Sequence, residues 1–251
     1  MKKFRFLGII AVAAIIGFSA TSCGGNGGVG GGALGMALAF TNVQVQEVID
    51  WDDENDVPIL SLFTGNRSVN AGYWNEDTGA WVPVGGTGEI AGGRFTFNIA
   101  EPLPNSLAPA EGHGWFLNWY YTFDPFIIAP PDARFAALTF RTPSPHYEGL
   151  GRARRTETIY EGLLYIWADR NVTFTGTGGT EIDVEDGVTY TFISANLNLT
   201  LQEGWNAVHV RSAIVSQSAN ARTVRITISH SHPNLLWVLF PEYDYDYYNN
   251  D

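Results

Sequence analysis

The chain is poor in cysteine, methionine, charge and helix signals. Among 251 residues there are one cysteine, Cys23, and two methionines, and only 16% of residues are charged. A single thiol excludes an intramolecular disulfide framework. No stretch after residue 36 sustains a 3.6-residue apolar period between caps, which argues against a helical bundle or a doubly wound sheet. There is no G-x-S-x-G nucleophile elbow, and no pair of carboxylates is tied to the separation that glycoside hydrolysis needs. What the chain does have is 28 glycines, 45% hydrophobic and 14% aromatic residues. That composition excludes general disorder and points to short strands joined by many turns.

The N-terminus explains the lone thiol. Lys2, Lys3 and Arg5 precede an uncharged apolar run over residues 6–18. As a helix that run is roughly 20 Å long, short of the ~30 Å hydrocarbon core, so it suits a signal-peptide core better than a permanent span. Ser19, Ala20, Thr21 and Ser22 lead into Cys23. The segment resembles a bacterial lipobox of the looser spirochaetal kind, with Ala20 where leucine is usual. The resemblance implies a signal peptide over 1–22 and a diacylglycerol on Cys23, which becomes the new N-terminus. Two acyl chains give stable attachment where one is marginal. The glycine-rich stretch 23–37 then reads as a flexible tether. Gly25, Gly27 and Gly30 match G-x-G-x-x-G, but without the strand-to-helix frame a dinucleotide site requires. Loss of Lys2, Lys3 and Arg5 moves the net charge from −12 to −15. Such a surface repels nucleic-acid phosphate.

Strand signals fill the rest. SVNAGYW (68–74) and AWVPV (80–84) flank the turn NEDTG as a hairpin, and RFTFNI (94–99) alternates after AGG. VPILSLFT (57–64) reads as a buried strand. The proline-rich segment 101–112 is the candidate boundary between two units, over 38–105 and 112–241. In the second, WFLNWYYTF (115–123), RFAALTFRT (134–142), TIYEGLLYIWA (158–168), NVTFTGT (171–177), VTYTFISANLNLTL (188–201), WNAVHVRSAIV (205–215), RTVRITIS (222–229) and LLWVLF (235–240) read as strands, with GLGRARR as a connection. Glu181, Asp183 and Glu185 alternate ahead of the turn dipeptide Asp186-Gly187. The spacing of strands and turns implies antiparallel sandwiches or a barrel; the expected fold is all-β, taken as antiparallel sandwich units, with only the signal peptide helical and an acidic Tyr/Asp tail over 242–251.

Two segments carry a resemblance. Residues 72–109 are similar to prealbumin-like extracellular modules. Residues 165–208 resemble a pattern in envelope lipoproteins of several bacteria, carried here by Tyr165, Ala168, Asp169, Arg170, Val172, Gly176, Leu201, Gly204, Trp205 and Asn206. The resemblance implies an immunoglobulin- or prealbumin-like β fold and is uninformative for activity, offering no catalytic residues to carry over. By their own chemistry, Asp169 and Arg170 suit a turn or an ion pair bridging strands, Gly204 a tight turn, and Trp205 a core cap.

The candidate sites follow from residue type. Trp115, Trp119 and Tyr121 alternate on one strand face, and Trp74 and Trp81 flank a turn. They read first as core, and second as a platform on which sugar rings stack. Asp50, Asp52, Asp53, Glu54 and Asp56 are dense enough to suggest a structural calcium, but lack the EF-hand glycine and distant glutamate, and a solvated acidic turn is the plainer reading. His230 and His232 lie two apart, as two metal ligands would, with His209 on another strand. No cofactor is expected beyond that calcium. The expected role is a lipid-anchored protein of the bacterial cell envelope that contacts surface proteins without catalysis; a glycan-binding module is the alternative and a hydrolase the third.

Overall fold

In a computed structural model, residues 33–52, 57–75, 78, 80–110, 123–143, 148–185, 187–230 and 233–241 are described. Among them are eighteen strands and no α-helix. In chain order these are β1 (Ala33–Gly35), β2 (Leu38–Asp52), β3 (Val57–Leu62), β4 (Arg67–Asn75), β5 (Ala80–Pro83), β6 (Thr87–Ala91), β7 (Arg94–Ile99), β8 (Phe123–Ala129) and β9 (Phe135–Arg141). They continue with β10 (Gly149–Arg155), β11 (Ile159–Ala168), β12 (Val172–Gly178), β13 (Thr180–Glu185), β14 (Val188–Ser194), β15 (Leu197–Leu201), β16 (Gly204–Gln217), β17 (Ala221–Ser229) and β18 (Leu236–Phe240). The fold is all-β.

Eight strands close into a barrel in the order β4-β9-β11-β10-β18-β2-β7-β6 and back to β4. Its first and last strands in sequence, β2 and β18, pair in parallel, with Trp237 opposite Val45. The ring therefore takes strands from both sides of the proline-rich segment: β4 pairs with β9 through Ala71 and Phe140. The sandwich units expected from strand spacing give way to ring closure, because spacing reports hairpins and not which distant edges meet.

The pleat decides the interior. Phe95, Phe97 and Ile99 of β7 alternate with exposed Arg94, Thr96 and Asn98. Phe40, Phe95, Phe97, Phe140, Tyr165 and Trp237 fill the ring. Phe95 lies 4.6 Å from Trp237 and Phe97 4.7 Å from Phe140, centroid to centroid, both edge-on. This is a packed barrel rather than a pore. The β6–β7 turn uses Gly92 and Gly93 at φ +54° and +74°. A Cβ at Gly93 would fall 1.8 Å from the Phe63 carbonyl oxygen, so glycine is required there.

From β11 the sheet runs on outside the ring as a wing, β16-β17-β14-β13. A separate sheet, β15-β12-β8, packs into the same buried core, against β9. Val172, Phe174, Leu197, Leu199 and Leu201 point inward from it, and Phe174 meets Phe135 at 5.6 Å. β11 is buried on both faces from Glu161 to Ala168.

Two local readings are corrected. GLGRARR is a strand, β10, because its neighbours β18 and β11 satisfy its backbone on both edges. VPILSL is no buried strand: β3 pairs only with β2, and Ile59 and Leu62 are exposed. Other readings hold. Arg170 pairs with Asp169 at 3.1 Å and with Asp132 at 2.8 Å, tying two turns together. Trp205 is fully buried, and its indole N–H donates to the Ala100 carbonyl at 2.7 Å. Gly204 has φ +99°.

Candidate functional site

Of the residues singled out in the sequence, Cys23, Trp115, Trp119, Tyr121, Asp53, Glu54, Asp56 and His232 lie outside the described residues. Asp50 and Asp52 sit on β2, paired with Ile59 and Val57 of β3. The Asp50 carboxylate accepts the Trp51 N–H at 2.8 Å. His209 lies opposite Ser229, so His230, one residue on, projects to the other face of the sheet, where it meets the backbone of Thr200. Burial pushes the His230 imidazole down from its usual value. Among the described residues, no three His, Cys, Asp or Glu side chains come together as metal ligands.

The structure instead assembles a charged row. Arg154 on β10, Glu161 on β11 and Arg211 on β16 are direct register partners across three adjacent strands. Glu161 is 2% exposed. Its carboxylate pairs with Arg154, accepts a hydrogen bond from His209 Nε2 at 3.1 Å, and lies 3.9 Å from Arg211 Nε. Burial, the larger influence, lowers the His209 imidazole below its ordinary value against the pull of Glu161. Beside the row, Arg152 is buried, with its Nε donating to the Leu235 carbonyl at 2.8 Å, and desolvation lowers it to about 10. A buried carboxylate held between cations locks β10, β11 and β16 in register, at the place where the ring becomes the wing. The sequence signal was the i, i+2 pair Arg152 and Arg154, which a connection would not need and a strand face does. Glu161 itself looks like any glutamate in an apolar run.

The second feature is aromatic. Trp74 and Trp81 are opposite one another on β4 and β5, on the outer wall of the ring. Trp81 lies across Gly72, where a Cβ would sit 2.7 Å from the indole, and the Arg141 guanidinium covers its ring at 4.1 Å. Trp74 is 45% exposed.

The third is an open edge. β13 ends the wing and pairs only with β14. Ile182 and Val184 are 65% and 63% exposed, and share one face of the strand; Glu181 and Asp183 are exposed on the other. The main-chain pattern of the hairpin fixes which groups are free. The Ser194 N–H donates to the Gly179 carbonyl at 3.0 Å, which makes residues 179 and 194 a hydrogen-bonded pair. By the two-residue alternation, Glu181 and Asp183 also bond to β14, while the main-chain groups of Thr180, Ile182 and Val184 point out to the edge. Two bonds agree with this. Thr189, opposite Val184, donates away from β13 to the Asn220 carbonyl, and the Val184 N–H turns to the Asp183 carboxylate at 2.7 Å. The alternation of residues 181–185 was legible in the sequence; that the strand ends a sheet was not. No family model, curated protein or solved structure matches the chain.

Proposed function

We propose that this chain is a lipid-anchored protein of the bacterial cell envelope whose β body works by binding neighbouring surface proteins rather than by catalysis. The observation that carries the reading is the β13 edge, whose outward main-chain groups and exposed Ile182 and Val184 stand at the end of the wing, outside the closed ring. Two further features support it. The charged n-region, apolar run and Cys23, followed by glycines, suit a lipid anchor on a tether. The ring faces outward with Gln44, Glu89, Arg94, Thr96 and Asn98, the reverse of a barrel bathed in lipid, so the body suits the aqueous side of a membrane. The test is detergent phase partitioning of the full chain. Wild type should enter the detergent phase and Cys23→Ser should remain unprocessed. Partitioning of a processed Cys23→Ser protein into detergent would show that the anchor is not this cysteine.

A second reading, glycan binding, is favoured by Trp74 alone. A half-exposed indole on a rigid wall can stack on a sugar face, with Arg141 beside it for hydroxyl or carboxylate contacts. A glycan array with wild type and Trp74→Ala decides it.

A further inference from the structure

We infer that the outer edge of β13 is a docking site for an extended, basic segment of another protein, which adds to the wing as one more strand. The inference rests on the surface-binding reading above and names the place and the partner chemistry.

Three other end strands are blunted, while β15, at the far end of the separate sheet, carries no proline. β3 carries Pro58, β5 carries Pro83 and β8 carries Pro125, and proline cannot donate to an added strand. β13 has the sequence TEIDVE, with no proline and no cation. Its protection is one carboxylate: Asp183 occupies the Val184 N–H. That cover is removable by charge. A lysine or arginine on an incoming strand, placed on the face of Glu181 and Asp183, draws the Asp183 carboxylate onto itself and frees the Val184 N–H for a main-chain bond. The same strand then lays apolar residues beside Ile182 and Val184 on the opposite face. Main-chain bonds from Ile182 and Val184 supply affinity, and the alternation of cation and apolar residue supplies specificity. A second copy of this chain fits poorly. Edge to edge, it would set Glu181 and Asp183 against their own copies, and like charges directly opposed are destabilising.

The outward main-chain geometry gives an unusually clean test. Proline at Ile182 deletes an N–H that faces solvent, whereas proline at Asp183 would delete one bonded to β14. The probes are three strand-length peptides: one alternating Lys and Val, one alternating Glu and Val, and one with the Lys and Val residues in separate blocks. Binding is read by fluorescence anisotropy on the full mature chain in uncharged detergent micelles. The alternating Lys/Val peptide should bind, and more weakly as salt rises; the other two should not. Ile182→Pro should weaken binding at least about tenfold with the circular dichroism spectrum unchanged. Asp183→Lys, which leaves every main-chain bond of the strand in place, should transfer the preference to the Glu/Val peptide. Equal binding of the alternating and block peptides would reduce the effect to net charge and overturn the inference. So would undiminished binding by Ile182→Pro, or self-association of the wild type that Ile182→Pro abolishes. Failure of all three peptides sinks the β13 site. The surface-binding reading fails separately, if cross-linking on intact cells joins the protein to no neighbour.

Discussion

The ring and the wing are built from the same kinds of residue and differ in what closes them. In the ring every strand has two neighbours, and inward side chains such as Phe95, Phe97, Phe140 and Leu138 are almost wholly buried. In the wing, all seven residues of β14 are only half-buried, and β13 has one neighbour. The wing's aromatic pair, Tyr190 stacked on Phe192 at 6.2 Å, lies near the surface, with Arg222 over Tyr190 at 5.7 Å. Closure lets a sheet spend its aromatics on one interior and leaves no edge to protect. A sheet that stays open keeps an edge available to a partner and gives up burial in return.

The largest expected effect follows from that contrast. Phe95→Ala removes a ring packed edge-on against Trp237 and Phe140 and leaves a void that a closed barrel cannot collapse; it should cost about 4 kcal/mol. Ile193→Ala on β14 gives up a half-buried side chain and should cost about 1 kcal/mol. Urea unfolding of the two variants measures both. Equal costs would mean that ring and wing share one core, and that the comparison is drawn in the wrong place.

How much of this was readable beforehand depends on sequence distance. Turn chemistry located hairpins correctly: AGG before β7, and Asp186-Gly187 before β14, where Gly187 has φ +79°. Asp169, Arg170 and Trp205 took the roles their chemistry suggested, because an ion-paired turn and a buried indole need only local arguments. The closing pair β2–β18 joins residues almost two hundred positions apart, and no local pattern encodes it. The same gap hides burial. β3 is as apolar as β11, yet β11 has strands on both edges and is buried on both faces, while β3 has one neighbour. Glu161 is invisible for the same reason: its partners Arg154 and Arg211 arrive from two other strands.

That junction supplies the second prediction, of intermediate size. The His209 imidazole is held below its usual 6.5 in the folded chain, chiefly by burial, with Arg211 and Arg154 adding to the effect and Glu161 opposing it. As pH falls below about 6.5, the unfolded chain takes up a proton on this histidine that the folded chain does not, so stability decreases with falling pH in that window. His230, lowered in the same direction, adds a similar slope. His209→Gln should therefore lose less stability than wild type between about pH 7 and about pH 5.5, keeping only what His230 and the rest of the molecule contribute. A steeper loss in His209→Gln than in wild type would mean that Glu161 keeps His209 charged when folded, making the junction a full ion pair; an unchanged slope would mean that folding does not shift this histidine at all.

The smallest effect needs no substitution and examines the wing most finely. If the edge of β13 is open in the way the Gly179–Ser194 bond dictates, amide exchange must alternate along a single strand. Glu181 and Asp183 donate into the β14 ladder and should be protected as long as the hairpin stays closed. Ile182 points outward and should exchange quickly. Val184 should fall between them, since its N–H is held by the Asp183 carboxylate rather than by a ladder. The ring strand β7 is the internal comparison: paired with β2 on one side and β6 on the other, it should protect successive amides without alternation. Uniform protection along β13 would mean that something already covers its outer edge.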